Sequence, residues 1–167
     1  MGILNVTPDS FADGGLHNSL PAAMNRVNEM ILEGVDIIDV GGESTRPGAE
    51  RVTEAEELAR TIPVIEAVAS AFPNVTISID TTRANVAEEA LKAGAKIIND
   101  VSGGLADPNM AALVAKSGLK YVVMHWRGSS DNMQSKSIYE DVNSEVITEL
   151  LARVDSLKSA GVLENQI

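Results

Sequence analysis

Cysteine is absent from this chain. With it go disulfides, thiolate nucleophiles and cysteine-ligated zinc. Only two of the 167 residues are histidine, too few to build a tight zinc site from protein ligands alone. Aromatic residues make up 3% of the sequence, which argues against a platform for stacking nucleobases. Positive charge is scarce as well. Thirteen Lys and Arg face 24 Asp and Glu, and the net charge of −11 opposes non-specific attachment to nucleic acid. An anionic small substrate is still compatible with that weak field, because one local Arg or helix N-terminus overcomes it. No apolar run approaches the roughly 18 residues that a membrane span needs. The N-terminus shows neither the basic region nor the apolar core of a signal peptide. The fingerprints G-x-G-x-x-G, Walker A, G-x-S-x-G and H-E-x-x-H are missing too. The default reading is a soluble cytoplasmic protein with no membrane and no nucleic-acid partner.

The composition that is present, 44% hydrophobic and 22% charged, is that of a globular chain, and the length suits one domain spanning 1–167. Nearly continuous apolar runs recur at Gly2–Val6, Asp36–Val40, Val75–Asp80, Lys96–Asn99 and Leu119–His125, as in parallel strands buried on both faces. Helical segments alternate with them. Ser19-Leu20-Pro21 opens one that runs to Glu33 and stops at Gly34. Thr53 with Glu56 reads as a capping box for a helix to Ala71. Arg83 to Ala93 closes on Gly94. Asp107-Pro108 caps a shorter helix ending near Gly118, and a last helix spans Tyr139 to Ser159. Five βα repeats without a hairpin signal predict an α/β fold with a parallel sheet, either doubly wound or a (β/α)8 barrel.

Polar residues gather where the strands end: Asn5–Asp13, Gly41–Gly48, Asp80–Arg83, Asn99–Gly104 and His125–Gly128. The connections that lead back into strands are bland. In parallel α/β folds the carboxyl ends of the strands converge on one active-site face. In the second loop Arg46, with Ser44 and Thr45, suits a carboxylate or a phosphate. Asp80 either caps the next helix or accepts two hydrogen bonds from an amino-heterocycle. Asn99 offers the mixed donor and acceptor of a heterocycle edge, while Asp100 orients a neighbour or caps a turn. Met124-His125 is ambiguous: Met is usually core packing, His125 is either an acid or base or, more commonly for a histidine, a hydrogen-bonded structural residue, and Trp126 is either a pocket wall or a rim. Asn5 together with a substrate's phosphates is a candidate site for Mg²⁺.

Taken together, "NVTPDSFADGG", "DIIDVGGESTRPGA", "SIDTTR", "INDVSGG" and "VMHWRG" resemble the dihydropteroate synthase family of pterin-binding enzymes. The resemblance implies a (β/α)8 TIM barrel of which this chain carries the first five βα units, the C-terminal part being absent. It implies a folate-biosynthesis transferase, the target of sulfonamides, that joins p-aminobenzoate to 6-hydroxymethyl-7,8-dihydropterin pyrophosphate. By motif, Asn5 resembles the residue that binds Mg²⁺ and pyrophosphate, and Thr45 and Arg46 resemble the substrate contacts of the second loop. Asp80, Asn99 and Met124 match pterin-site positions. Phe11, Asp13 and Pro47 resemble the residues that build the p-aminobenzoate pocket, with Asp13 placed to stabilise a cationic pterin methylene. The family is homodimeric, but its usual dimer-forming helices are not in this chain. Two alternatives stand beside this: a methyltetrahydrofolate-dependent methyltransferase, disfavoured by "TPDSF" and "GGESTRPG", and a non-catalytic pterin-binding fragment. Residues 1–167 alone are expected to be inactive.

Overall fold

Five short strands, β1 (Gly2–Asn5), β2 (Ile37–Gly41), β3 (Thr76–Asp80), β4 (Ile97–Asp100) and β5 (Lys120–Val123), pair in parallel in the order 1-2-3-4-5. The computed structural model describes residues 1–7, 15–44, 51–130 and 132–167. A doubly wound sheet reverses its strand order at the centre, whereas consecutive order is the winding of a (β/α)8 barrel. The chain is therefore a run of five βα units of the barrel type. Its five helices are α1 (Gly15–Leu32), α2 (Glu54–Ala71), α3 (Ala84–Ala93), α4 (Met110–Ser117) and α5 (Val142–Ser159).

Alternation along the strands divides the sheet into two chemistries. Leu4, Ile38, Val40, Ile77, Ile79, Ile98 and Tyr121 are buried against the helices. Burying each aliphatic side chain of this kind contributes about 1.5–3 kcal/mol. The helices answer with stripes at helical spacing: Ala23, Val27 and Met30 on α1, Thr61, Val64, Ile65 and Val68 on α2, and Val86, Ala87 and Ala90 on α3. The opposite, concave face carries Asn5, Asp39, Ser78, Asp80 and Asn99. Among its apolar members Ile3 and Val122 are exposed.

The strands start and stop within two residues of the expected positions, the end of β5 differing most. Three helix starts differ. Helix α1 begins at Gly15 rather than near Ser19, which places Pro21 inside it and forgoes one backbone amide donor. Helix α4 begins at Met110, after Asn109, because Asp107 serves two masters. Its Oδ1 accepts from the Asn109 amide at 2.9 Å, while its Oδ2 accepts from the Ala84 amide at 2.8 Å and so caps α3. Helix α5 begins at Val142, where Asp141 accepts from the amides of Asn143 and Ser144 and the Glu145 carboxylate takes those of Glu140 and Asp141. The capping box on α2 is half formed. Thr53 accepts from the Glu56 amide at 3.2 Å, but the Glu56 carboxylate is turned to Arg60.

Candidate active site

Parallel register brings the ends of the strands to one level. Asn5 pairs with Gly41, Gly41 with Asp80, and Asp80 with Asn99. Gly41 keeps a slot open between its neighbours. A Cβ there would lie 3.5 Å from both Asn5 Oδ1 and Asp80 Oδ2. Asp80 does not cap α3, whose first amide is taken by Asp107. Its carboxyl faces the concave side and is pushed up to about 7, first by burial and then by the charges of Asp39, Glu57, Asp100 and Glu43. A carboxyl poised near neutrality in a concave site is suited to binding work. Asn99 donates through Nδ2 to Asp39 Oδ2 at 2.9 Å, one register level deeper.

Behind β2 and β3 lies an ion network that the sequence did not disclose. Glu57, buried on α2, accepts from the Thr81 hydroxyl at 2.6 Å and pairs with Arg83. Arg83 also donates to Glu43 at 2.9 Å and to the Val52 carbonyl at 2.6 Å. Glu43 takes the Arg51 Nε at 3.0 Å and the Val52 amide at 3.3 Å. Arg60 fixes the Gly42 carbonyl at 2.9 Å, and a Cβ on Gly42 would come within 2.8 Å of Thr61. Residues on both sides of the second loop are thus held by α2 and the β3–α3 connection. The available signal was a glutamate, Glu57, at a stripe position shared with Thr61, Val64 and Val68.

After β4, Asp100 is fully buried and organises its own loop. It accepts from the Ser102 amide and hydroxyl, from the Gly104 amide at 2.9 Å and from the Tyr121 hydroxyl at 2.8 Å. Burial, then the Asp100 charge, pushes the Tyr121 phenol upward. The loop turns through Gly103 and Gly104, whose φ values of 60° and 83° favour glycine. After β5, Met124 is 47% exposed rather than packed in the core. It joins Trp126, Val101, Ala106, Met133, Thr82 and others around a cavity of about 340 Å³. Trp126 is therefore a pocket wall. His125 is hydrogen-bonded: its Nε2 lies 2.8 Å from Glu149 Oε2. Arg127, stacked 4.0 Å over the Tyr139 ring, donates to Glu145 and Glu149. Arg127, and then His125, hold the Glu149 carboxyl down at about 2.

Of the expected site residues, the fold brings Asn5, Asp80 and Asn99 together and sets Met124 on the adjoining cavity wall. Phe11, Asp13, Thr45, Arg46 and Pro47 lie outside the described residues. Among the described residues no group of three His, Asp or Glu side chains is arranged to hold a metal ion. Nor is any helix long and apolar enough to cross a membrane.

Comparison with known proteins gives this geometry a family. The sequence profile described as "Pterin binding enzyme" matches residues 1–167. Dihydropteroate synthase of Synechocystis is 48% identical over 167 residues, covering 100% of this chain and 57% of that protein. The Yersinia pestis dihydropteroate synthase crystallised with a sulfonamide drug superposes with a TM-score of 0.90 at 43% identity, covering 99% of this chain and 60% of that one. The Xanthomonas albilineans dihydropteroate synthase with 4-aminobenzoic acid gives 0.90 at 40% identity, over 99% and 58%. The chain thus spans a little over half the length of these three relatives, and over that span it belongs to the pterin binding enzyme family.

Proposed function

We propose that the protein joins 6-hydroxymethyl-7,8-dihydropterin pyrophosphate to p-aminobenzoate in the cytoplasm, giving dihydropteroate and pyrophosphate. The observation that carries this reading is the Asp80–Asn99 pair, a carboxyl and an amide side by side in register at the carboxyl end of the sheet; Asp80 lines a small pocket with Thr82 and Val101, which also line the cavity at Met124. The amino-pyrimidine edge of a pterin alternates donors and acceptors, and this pair offers complementary groups. The Met124, Val101 and Trp126 side chains suit the flat faces of such a ring. Support also comes from the relatives, which carry the name dihydropteroate synthase, and from the aminobenzoate and sulfonamide bound by the solved ones.

The reaction breaks the bond between the pterin methylene carbon and a pyrophosphate oxygen, whose electron pair leaves with the pyrophosphate. The arylamine nitrogen then bonds to that carbon and loses a proton. In this reading Asp80 and Asn99 fix the ring, and Thr45 and Arg46 receive the phosphate groups. Asp13 stabilises the cationic methylene, while Phe11 and Pro47 wall the p-aminobenzoate pocket. The donor set near Asn5 fits Mg²⁺ in a limited way. Asn5 Oδ1 is a single neutral hard oxygen beside the open slot at Gly41, so the substrate's phosphates and water would fill the other positions. Bound there, the ion would neutralise charge on the departing pyrophosphate.

The test is to supply the full-length protein, and separately residues 1–167, with both substrates and Mg²⁺ and to separate the products. The full-length protein is expected to form dihydropteroate and pyrophosphate in equal amounts, only when both substrates are present. Residues 1–167, whose concave face leaves Ile3 and Val122 exposed, are expected to give no turnover. Absence of product from the full-length protein, or methyl transfer from methyltetrahydrofolate in its place, would contradict the reading.

A further inference from the structure

Asp39 is a buried carboxylate with almost nothing to satisfy it. It is 4% exposed, in the middle of the otherwise apolar strand β2. Its Oδ2 receives one hydrogen bond, from Asn99 Nδ2 at 2.9 Å. Its Oδ1 is buried with no partner, and the hydroxyl of Ser78, its register neighbour on β3, is buried and unpartnered as well. No cation lies against it among the described residues, where the salt bridges gather instead around Glu43, Glu57 and Glu149. Burying a charge on such terms costs stability, and an aliphatic residue would suit the strand better. Besides helping to raise the Asp80 carboxyl, the carboxylate has a directional effect. A carboxylate only accepts, so the atom of Asn99 that faces it must be the amide nitrogen. The Asn99 carbonyl oxygen is left for the concave site, at the level of Asp80.

We propose that Asp39 is a positioning residue that locks the Asn99 amide so that its carbonyl oxygen meets the ligand, making the site selective for a heterocycle edge that presents N–H donors. The inference rests on the pterin reading of the site and deepens it. With the carbonyl oxygen of Asn99 next to the Asp80 carboxyl, the pair addresses an amino group and a ring N–H, and opposes an edge that offers only acceptors. Without Asp39 the amide is free to flip, and each flip sets its amine against the ligand's own donors.

The experiment is a double-mutant cycle in the full-length protein, reading 6-hydroxymethylpterin affinity by calorimetry together with the thermal midpoint. Asp39→Ala is expected to weaken binding about tenfold while leaving the midpoint unchanged or raised, because it removes a poorly compensated buried charge. Asp39→Asn, whose oxygen accepts from Asn99 in only one of its two amide orientations, is expected to fall between, with a loss of no more than about threefold. Asn99→Ala is expected to weaken binding by itself, and Asp39→Ala added to it to weaken it no further. Additive losses in the cycle, a tenfold loss in Asp39→Asn, or an Asp39→Ala that lowers only the midpoint would overturn the proposal. If the unsubstituted protein bound no pterin, the functional reading would fall and this inference with it.

Discussion

Arg83 pairs with Glu57 across 26 residues of sequence, and Glu57 is only 1% exposed. The same guanidinium donates to Glu43 and to the Val52 carbonyl, so one side chain ties α2 to both ends of the second loop. Removing the cation would leave a buried carboxylate held only by the Thr81 hydroxyl. Arg83→Met is therefore expected to cost about 3 kcal/mol of stability, most of it from the stranded Glu57 charge. Glu57→Gln in the same background should recover part of the loss, since it removes that charge. Urea denaturation of the three variants checks this; equal midpoints for the native and Arg83→Met proteins would refute it.

The Asp80 carboxyl, raised to about 7, binds its proton more tightly in the folded chain than in the unfolded one. Its contribution to stability is fully present below the ordinary carboxyl range near pH 4 and is lost as pH rises through about 7. The groups acting on it are Asp39 on β2, Asp100 on β4, Glu57 on α2 and Glu43 in the second loop. Native protein and Asp80→Asn should consequently differ in the slope of stability against pH between about 4 and 7, the variant being flatter. A ligand edge that donates to the carboxylate favours the ionised form, so pterin binding should tighten through about pH 7 and release a proton. Calorimetry in buffers of different ionisation enthalpy reads that proton directly.

Asp107 caps α3, which precedes it in sequence, rather than α4, which follows it. Asp107→Ala should cost about 1 kcal/mol, and hydrogen exchange should quicken at the first amides of α3, beginning with Ala84. Asn109 stands at the N-cap of α4 but makes no side-chain capping bond, so Asn109→Ala should be nearly silent. Equal losses for the two substitutions would contradict this division.

These cases mark the boundary between what the chain declares locally and what only the fold reveals. The strands were legible because Ile37–Val40 or Thr76–Ile79 are apolar runs that suit a sheet covered by helices. Asp80 and Asn99 were legible because each is a polar residue ending such a run, and parallel register then sets them side by side. The sequence left a doubly wound sheet and a barrel open, and strand order decided between them. Asp107 was misjudged because its second bond spans 23 residues. Glu57 and Arg83 were missed because a buried ion pair leaves no mark on periodicity beyond a charge at a stripe position. Met124, ambiguous by residue type and matched to a pterin-site position by the resemblance, is exposed on the cavity because it follows the end of β5 and faces the concave side. His125 does carry the expected hydrogen bond, although its partner Glu149 on α5 was not foreseen.

The central claim is that Asp80, beside Asn99, reads the pterin edge. The most direct measurement is the calorimetric affinity of the full-length protein for 6-hydroxymethylpterin, compared with its Asp80→Asn variant. That change keeps the shape of the side chain and puts an amine where an acceptor is needed. The account predicts a loss of about a hundredfold, the equivalent of a mispaired charged hydrogen bond, with the thermal midpoint held or raised. An affinity unchanged within about twofold, in a variant that remains folded, would contradict it.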